Sequence, residues 1–106
     1  MKAAILNQYN KKDVNLSFSN LPTPGITADQ VLVKSLAAGV NPVDNMITKG
    51  EVKLIIPYRL PIVAGNELVG EIIDLGANVK GFQKGDRVFA RLPLNHPGAF
   101  AEFAAI

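Results

Sequence analysis

The sequence predicts a mainly β domain, an antiparallel barrel or sandwich. Three observations carry that prediction. Apolar runs of strand length recur along 106 residues. Nine Gly and seven Pro stand singly between them, as turns do. One segment only has the spacing of a helix. The length suits one domain with one core and is too short for two.

Lys2 to Leu6 is the first strand run. Val14, Leu16 and Phe18 alternate with Asn15 and Ser17, the period of a half-buried strand. Leu21-Pro22-Thr23-Pro24-Gly25 is a turn with two fixed φ angles. Val31 to Ala38 is the third run, Leu68 to Leu75 the fourth and Arg87 to Ala90 the fifth. Phe100 to Ile106 closes the chain. Turn signals separate these runs at Gly76-Ala77-Asn78, Gly81, Gly85-Asp86 and Pro97-Gly98.

From Pro42 to Lys49 the pattern changes. Val43, Met46 and Ile47 fall at helical spacing. Asn41 suits the N-cap, Pro42 the first helical position and Gly50 the residue past the end. A helix of about two turns is expected. Leu54 to Leu60 is apolar but bracketed by Pro57 and Pro61, and reads as an irregular crossing or a surface flap.

Composition excludes several classes. The net charge of +2 is small and the basic residues are dispersed, so nucleic acid is not an expected partner. Phe100 and Phe103 read as core or sheet-face aromatics, without the interleaved basic residues of a base-stacking platform. No apolar run approaches the roughly 20 residues of a membrane span, and the apolar stretch after Lys2 is too short for a signal peptide. There is no Cys, so disulfides, thiolate metal sites and a Cys nucleophile are out. The expected location is the cytoplasm.

Two segments carry the functional signal: Gly39-Val40-Asn41-Pro42-Val43-Asp44 and Gly65-Asn66-Glu67-Leu68-Val69-Gly70-Glu71. Each sets small polar side chains at a strand end. With Met1-Lys2-Ala3, the wider stretches Val31 to Asp44 and Pro61 to Glu71, Val79 to Ala90 with its turn and strand Lys84-Gly85-Asp86-Arg87-Val88, and Gly98 to Phe103, they form an ordered set along essentially the whole chain. That set resembles the GroES-like catalytic domain of the medium-chain dehydrogenase/reductase superfamily, closest to its zinc-free quinone oxidoreductase branch. The resemblance implies a partly open GroES-like β-barrel with one or two short helices over residues 1–106.

It also implies a chemistry. Zinc-dependent relatives carry a Cys where Asn41 stands and a His where Asn66 stands. Asn is a poor zinc ligand beside thiolate or imidazole. The chain holds one His, His96, and a zinc site needs at least three good ligands. No metal is therefore expected. The implied reaction is zinc-independent hydride transfer from NADPH or NADH to a quinone, activated alkene or carbonyl. The dinucleotide would be held mainly by a Rossmann domain. No Gly-x-Gly-x-x-Gly occurs here, and the chain still reads as structure at Ile106, so that domain is expected to be missing and this piece alone to be inactive. A small-molecule substrate and a homodimeric full-length protein complete the implied picture.

By resemblance, Asn41, Asp44 and Met46 contact the cofactor, and Asn45 and Asn66 line the substrate pocket. No catalytic residue is assigned. Asn41 is equally read as a helix cap. Asp44 suits the first turn, where the helix dipole favours a carboxylate. Met46 replaces the Tyr that relatives often carry, which removes a hydroxyl donor. Asn66 is also readable as a turn residue, Glu67 as a hydrogen-bonded or salt-bridged carboxylate, Glu71 as part of a solvated face, and His96 as a loop residue able to titrate. Two alternatives share the barrel: a non-enzymatic co-chaperonin-like assembly module and a domain of an alcohol dehydrogenase. The helix expected at Asn41 to Gly50 argues against the first.

Overall fold

A computed structural model describes residues 1–106. Seven strands and one helix follow in the order β1 (Lys2–Leu6), β2 (Ser17–Asn20), β3 (Val31–Ala38), α1 (Pro42–Thr48), β4 (Ile62–Val63), β5 (Glu67–Leu75), β6 (Arg87–Arg91) and β7 (Phe103–Ala105). They form two antiparallel sheets, ordered β2-β1-β4 and β6-β5-β3-β7. The sheets do not close on each other. The chain before β7 stitches them, through an Ala3–Ala101 bridge and the Ala4 N–H donating to the Phe100 carbonyl at 2.8 Å. This is the partly open GroES-like arrangement, with a single helix. No helix is long and apolar enough to cross a membrane.

Sequence explains the main strands. In β5, Leu68, Gly70 and Ile72 point inward and are buried, while Glu67, Val69 and Glu71 face out. Val33, Leu68, Ile72, Leu92, Ala99 and Ala104 form the buried cluster between β3, β5 and β7. β1 is buried from Ala3 to Leu6 on both faces, which is why it reads as a continuous apolar run. β3 pairs with β5 through two irregularities. At one, Ser35 and Ala37 lie opposite Gly70 and Val69, so Leu36 is the extra residue of a bulge and is thrown to the surface.

The helix ends as its sequence dictates. Gly50 adopts φ +78°. Its N–H donates to the Ile47 carbonyl at 3.0 Å, and the Glu51 N–H donates to the Met46 carbonyl at 2.9 Å. This pair of bonds is the Schellman stop, and only Gly takes the left-handed position without strain.

Three expectations need correction. The strand expected from Val14 to Phe18 begins only at Ser17, and all four residues of β2 are exposed. Its alternation does not mark a buried face, because no layer covers β2. The two-residue β4 was not expected; it is too short for any period to show, and Pro61 precedes it. The last run narrows to Phe103–Ala105, with Phe100 to Glu102 used for the stitch to β1.

Candidate functional site

β3 delivers the chain to Gly39 and Val40, and α1 starts two residues later. At that corner Asn41 is extended, at φ −114° and ψ 160°, as an N-cap should be. Its backbone N–H donates to Asp44 Oδ2 at 2.8 Å. Its side chain does not cap. Asn41 Nδ2 donates instead to Glu67 Oε2 at 2.9 Å, across 26 positions of sequence. The Asp44 N–H is satisfied by the Asn41 main-chain carbonyl at 2.9 Å. Only the Asp44 half of the reciprocal capping box is thus made, and the cap expected from the Asn41 carboxamide is replaced by a clasp between α1 and β5. The Gly39 N–H donates to the Glu67 carbonyl at 3.2 Å, which fixes the same corner from the backbone.

Asn45 and Met46 face outward from the helix and are exposed. Asp44 lies beneath them, buried, with its other oxygen Oδ1 turned inward and without a partner. Asn66 stands just before β5 and is 2% exposed. Its main-chain carbonyl accepts the Leu92 N–H at 2.6 Å, while neither atom of its carboxamide has a partner. Asp44 and Asn66 line one small internal void of about 10 Å³, with Leu6, Ile47 and Thr48 among the other walls. The expected site residues therefore divide in two. Asn41, Asn45 and Met46 reach the outer face; Asn66 lies behind Asp44, in the interior.

A larger open cleft of about 840 Å³ lies elsewhere, lined by Ile56, Tyr58, Arg59, Leu92, His96 and Phe103 among others. None of Asn41, Asp44, Asn45, Met46 or Asn66 borders it. His96 is exposed there, with Nδ1 3.3 Å from its neighbour's carbonyl, Asn95 O. Tyr58 bridges the cleft's rim by donating to the Leu94 carbonyl. Burial, and next the nearby Tyr9, push the Tyr58 phenol up from its ordinary value. Sequence reasoning missed the Asn41–Glu67 clasp, because nothing local links positions that far apart. It also missed the bond from the Asn41 N–H to the Asp44 carboxylate, for which a signal existed: the three-residue spacing of a capping box.

The donor chemistry at this corner fits one part of a nicotinamide cofactor. Asn41 Nδ2 is engaged with Glu67, and Asn45 offers a donor and an acceptor at the surface. These neutral groups match a carboxamide. They do not match a pyrophosphate, which calls for cations, and the α1 N-terminus at this corner is already met by the Asp44 carboxylate. They do not fit zinc either: Asn41 is tied to Glu67, Asn66 is turned inside, and no three His, Cys, Asp or Glu side chains gather at one point.

Comparison with known proteins adds the frame. Residues 27–105 match the family described as alcohol dehydrogenase GroES-like domain. A chloroplast envelope quinone oxidoreductase homolog of Arabidopsis thaliana is 34% identical over 104 residues, covering 98% of this chain and 32% of the relative. An NADPH-dependent alkenal/one oxidoreductase of the same plant is 37% identical over 112 residues, covering 100% of this chain and 29% of the relative. Among solved structures, an alcohol dehydrogenase superfamily protein from Novosphingobium aromaticivorans superposes with TM-score 0.88 at 32% identity, over 100% of this chain and 32% of the other. The Escherichia coli quinone oxidoreductase complexed with NADPH gives TM-score 0.85 at 25% identity, over 100% of this chain and 31% of the other. The chain spans about a third of the length of the relatives it matches.

Proposed function

The chain belongs to the alcohol dehydrogenase GroES-like domain family of the medium-chain dehydrogenase/reductases, and on that premise we propose that it is the substrate-side domain of a zinc-independent NAD(P)H-dependent oxidoreductase. Its substrates would be quinones or activated alkenes and carbonyls, the classes named for its relatives. A Rossmann domain, absent from these 106 residues, would hold most of the dinucleotide.

The observation that carries this reading is the clasp at the start of α1. Asn41 Nδ2 on Glu67 Oε2 fixes a neutral carboxamide at the corner where zinc-dependent relatives place a metal ligand. A reduced nicotinamide would supply hydride to the electron-poor carbon of the substrate, and a solvent proton would complete the reduction. The chain's own residues would orient. Asn41 Oδ1 and Asn45 would hydrogen-bond the nicotinamide amide. Met46 would offer an adaptable apolar contact beside it. Asp44, through the Asn41 N–H, would hold the helix entrance still.

The test is turnover by the full-length protein. Nicotinamide absorbance should fall on adding a quinone or an enone with NADPH or NADH, and a zinc chelator should leave the rate unchanged. Absence of oxidation with both substrate classes, or loss of activity on chelation, would overturn the proposal.

A further inference from the structure

A small void between α1 and the start of β5, walled mostly by apolar side chains, has Asp44, Thr48 and Asn66 in its lining and is separate from the outward corner. We propose that it holds one water molecule, bound by Asp44 Oδ1, the Asn66 carboxamide and Thr48 Oγ1. The volume, about 10 Å³, is room for a single molecule at most. Two of its lining residues carry polar atoms with no protein partner: Asp44 Oδ1, Asn66 Oδ1 and Asn66 Nδ2. Both side chains are more than nine-tenths buried, Asp44 at 5% and Asn66 at 2% exposure. Buried polar atoms of native proteins find partners, and these two side chains are not bonded to each other.

The hydrogen-bond inventory fits water. Asp44 Oδ1 only accepts. Thr48 Oγ1 spends its proton on the Asn45 carbonyl at 2.9 Å, so toward the void it accepts. Asn66 Nδ2 donates. A water gives its two protons to Asp44 Oδ1 and Thr48 Oγ1 and takes one from Asn66 Nδ2, three bonds in all, the usual number for a buried water; Asn66 Oδ1 is left outside this set. A hard cation fits poorly, since calcium takes roughly six to eight oxygens and the other side chains of the lining are apolar: Leu6, Ile47, Ile62, Ala64 and Pro97. The consequence reaches the surface. The water would join Asn66 to Asp44, Asp44 Oδ2 holds the Asn41 N–H, and Asn41 holds Glu67. Asn66 then acts as a positioning residue for the corner, from the inside.

Water-to-protein cross-relaxation in the isotope-labelled chain reads this directly. The wild-type chain should show cross-peaks of a long-lived water to the Asn66 side-chain amide protons. Asn66→Leu, which keeps the branched shape, should remove the water's signal from this region and shift the Asn41 backbone amide resonance. A wild-type chain with no such cross-peak, or a crystal structure with a direct Asp44–Asn66 bond or a metal ion at this point, would overturn the assignment. The wild-type measurement decides by itself if the variant fails to fold.

Discussion

Asn41 spends its backbone N–H on Asp44 and its side-chain amide on Glu67, so its substitutions should separate stability from turnover. The Nδ2–H donor meets a carboxylate, a charge-assisted bond, but an exposed one. Asn41→Ala should therefore cost about 0.5–1 kcal/mol in denaturant unfolding. Asn41→Asp removes the donor and sets two carboxylates face to face. It should be less stable than Asn41→Ala near neutral pH, because the two carboxylates repel. Adding Glu67→Gln to Asn41→Asp restores a donor and an acceptor with the roles exchanged, and should return most of the lost stability. If Asn41 also orients nicotinamide in the full-length protein, that rescued double variant should keep a depressed turnover rate. A double variant as active as wild type would remove Asn41 from the functional site. An Asn41→Asp chain as stable as wild type would show that the clasp contributes nothing.

Between elements, one side chain ties the 51–60 segment to the loop before Ala99: Tyr58, which donates to the Leu94 carbonyl. Its phenol is raised by burial and by Tyr9. A raised folded-state pKa favours the protonated form in the fold. The stabilisation is thus complete below the unfolded value, about 10, and is lost as pH climbs through the folded one. Tyr58→Phe should cost about 1 kcal/mol at neutral pH through the lost hydrogen bond. Its stability should then fall less steeply than wild type above about pH 10. Parallel slopes for the two proteins in that range would refute this. No sequence pattern announced the contact. The segment's apolar residues suggested a flap, and Leu54 and Ile55 are indeed exposed, but the pinning partner is 36 positions away. Where structure is local, it was legible. β1 and β3 have the expected bounds because their apolar runs stop at polar or Gly residues, and α1 stops at the Gly that its end requires. Where burial depends on a second layer, legibility failed: Val14 and Phe18 alternate correctly and face solvent. The site followed the same division. The helix start and its polar residues were readable. The inward turn of Asn66 was not, because burial at a strand entrance is set by what the rest of the fold lays over it.

For the whole molecule, the question is what one domain can bind alone. The chain has an outward corner made of the Asn41 and Asn45 carboxamides with the Glu67 carboxylate bound to Asn41, and a separate open cleft of about 840 Å³. The corner offers no cation for a pyrophosphate, and in the cleft Arg59 is the one Lys or Arg side chain of the lining. Metal analysis of the purified chain should give substoichiometric zinc, and chelator should leave thermal unfolding unchanged; one tightly held zinc per chain would contradict the donor chemistry of Asn41 and Asn66. For the dinucleotide the argument is energetic. Association costs at least about 4 kcal/mol in lost freedom before any contact contributes. A nicotinamide amide held by Asn41 and Asn45 offers two or three neutral, solvent-competed hydrogen bonds, each worth about 1 kcal/mol. The sum does not exceed the cost. Titration of the 106-residue chain with NADPH should therefore show no saturable binding at micromolar concentrations, where binding would require about −8 kcal/mol, and no quinone-dependent oxidation. On the proposed function, the same titration on the full-length protein should saturate, because a dinucleotide domain would hold the cofactor first and the Asn41 corner would then meet a nicotinamide already in place. Micromolar affinity of the isolated chain, competed by free nicotinamide nucleotides, would instead place a cofactor site within these residues.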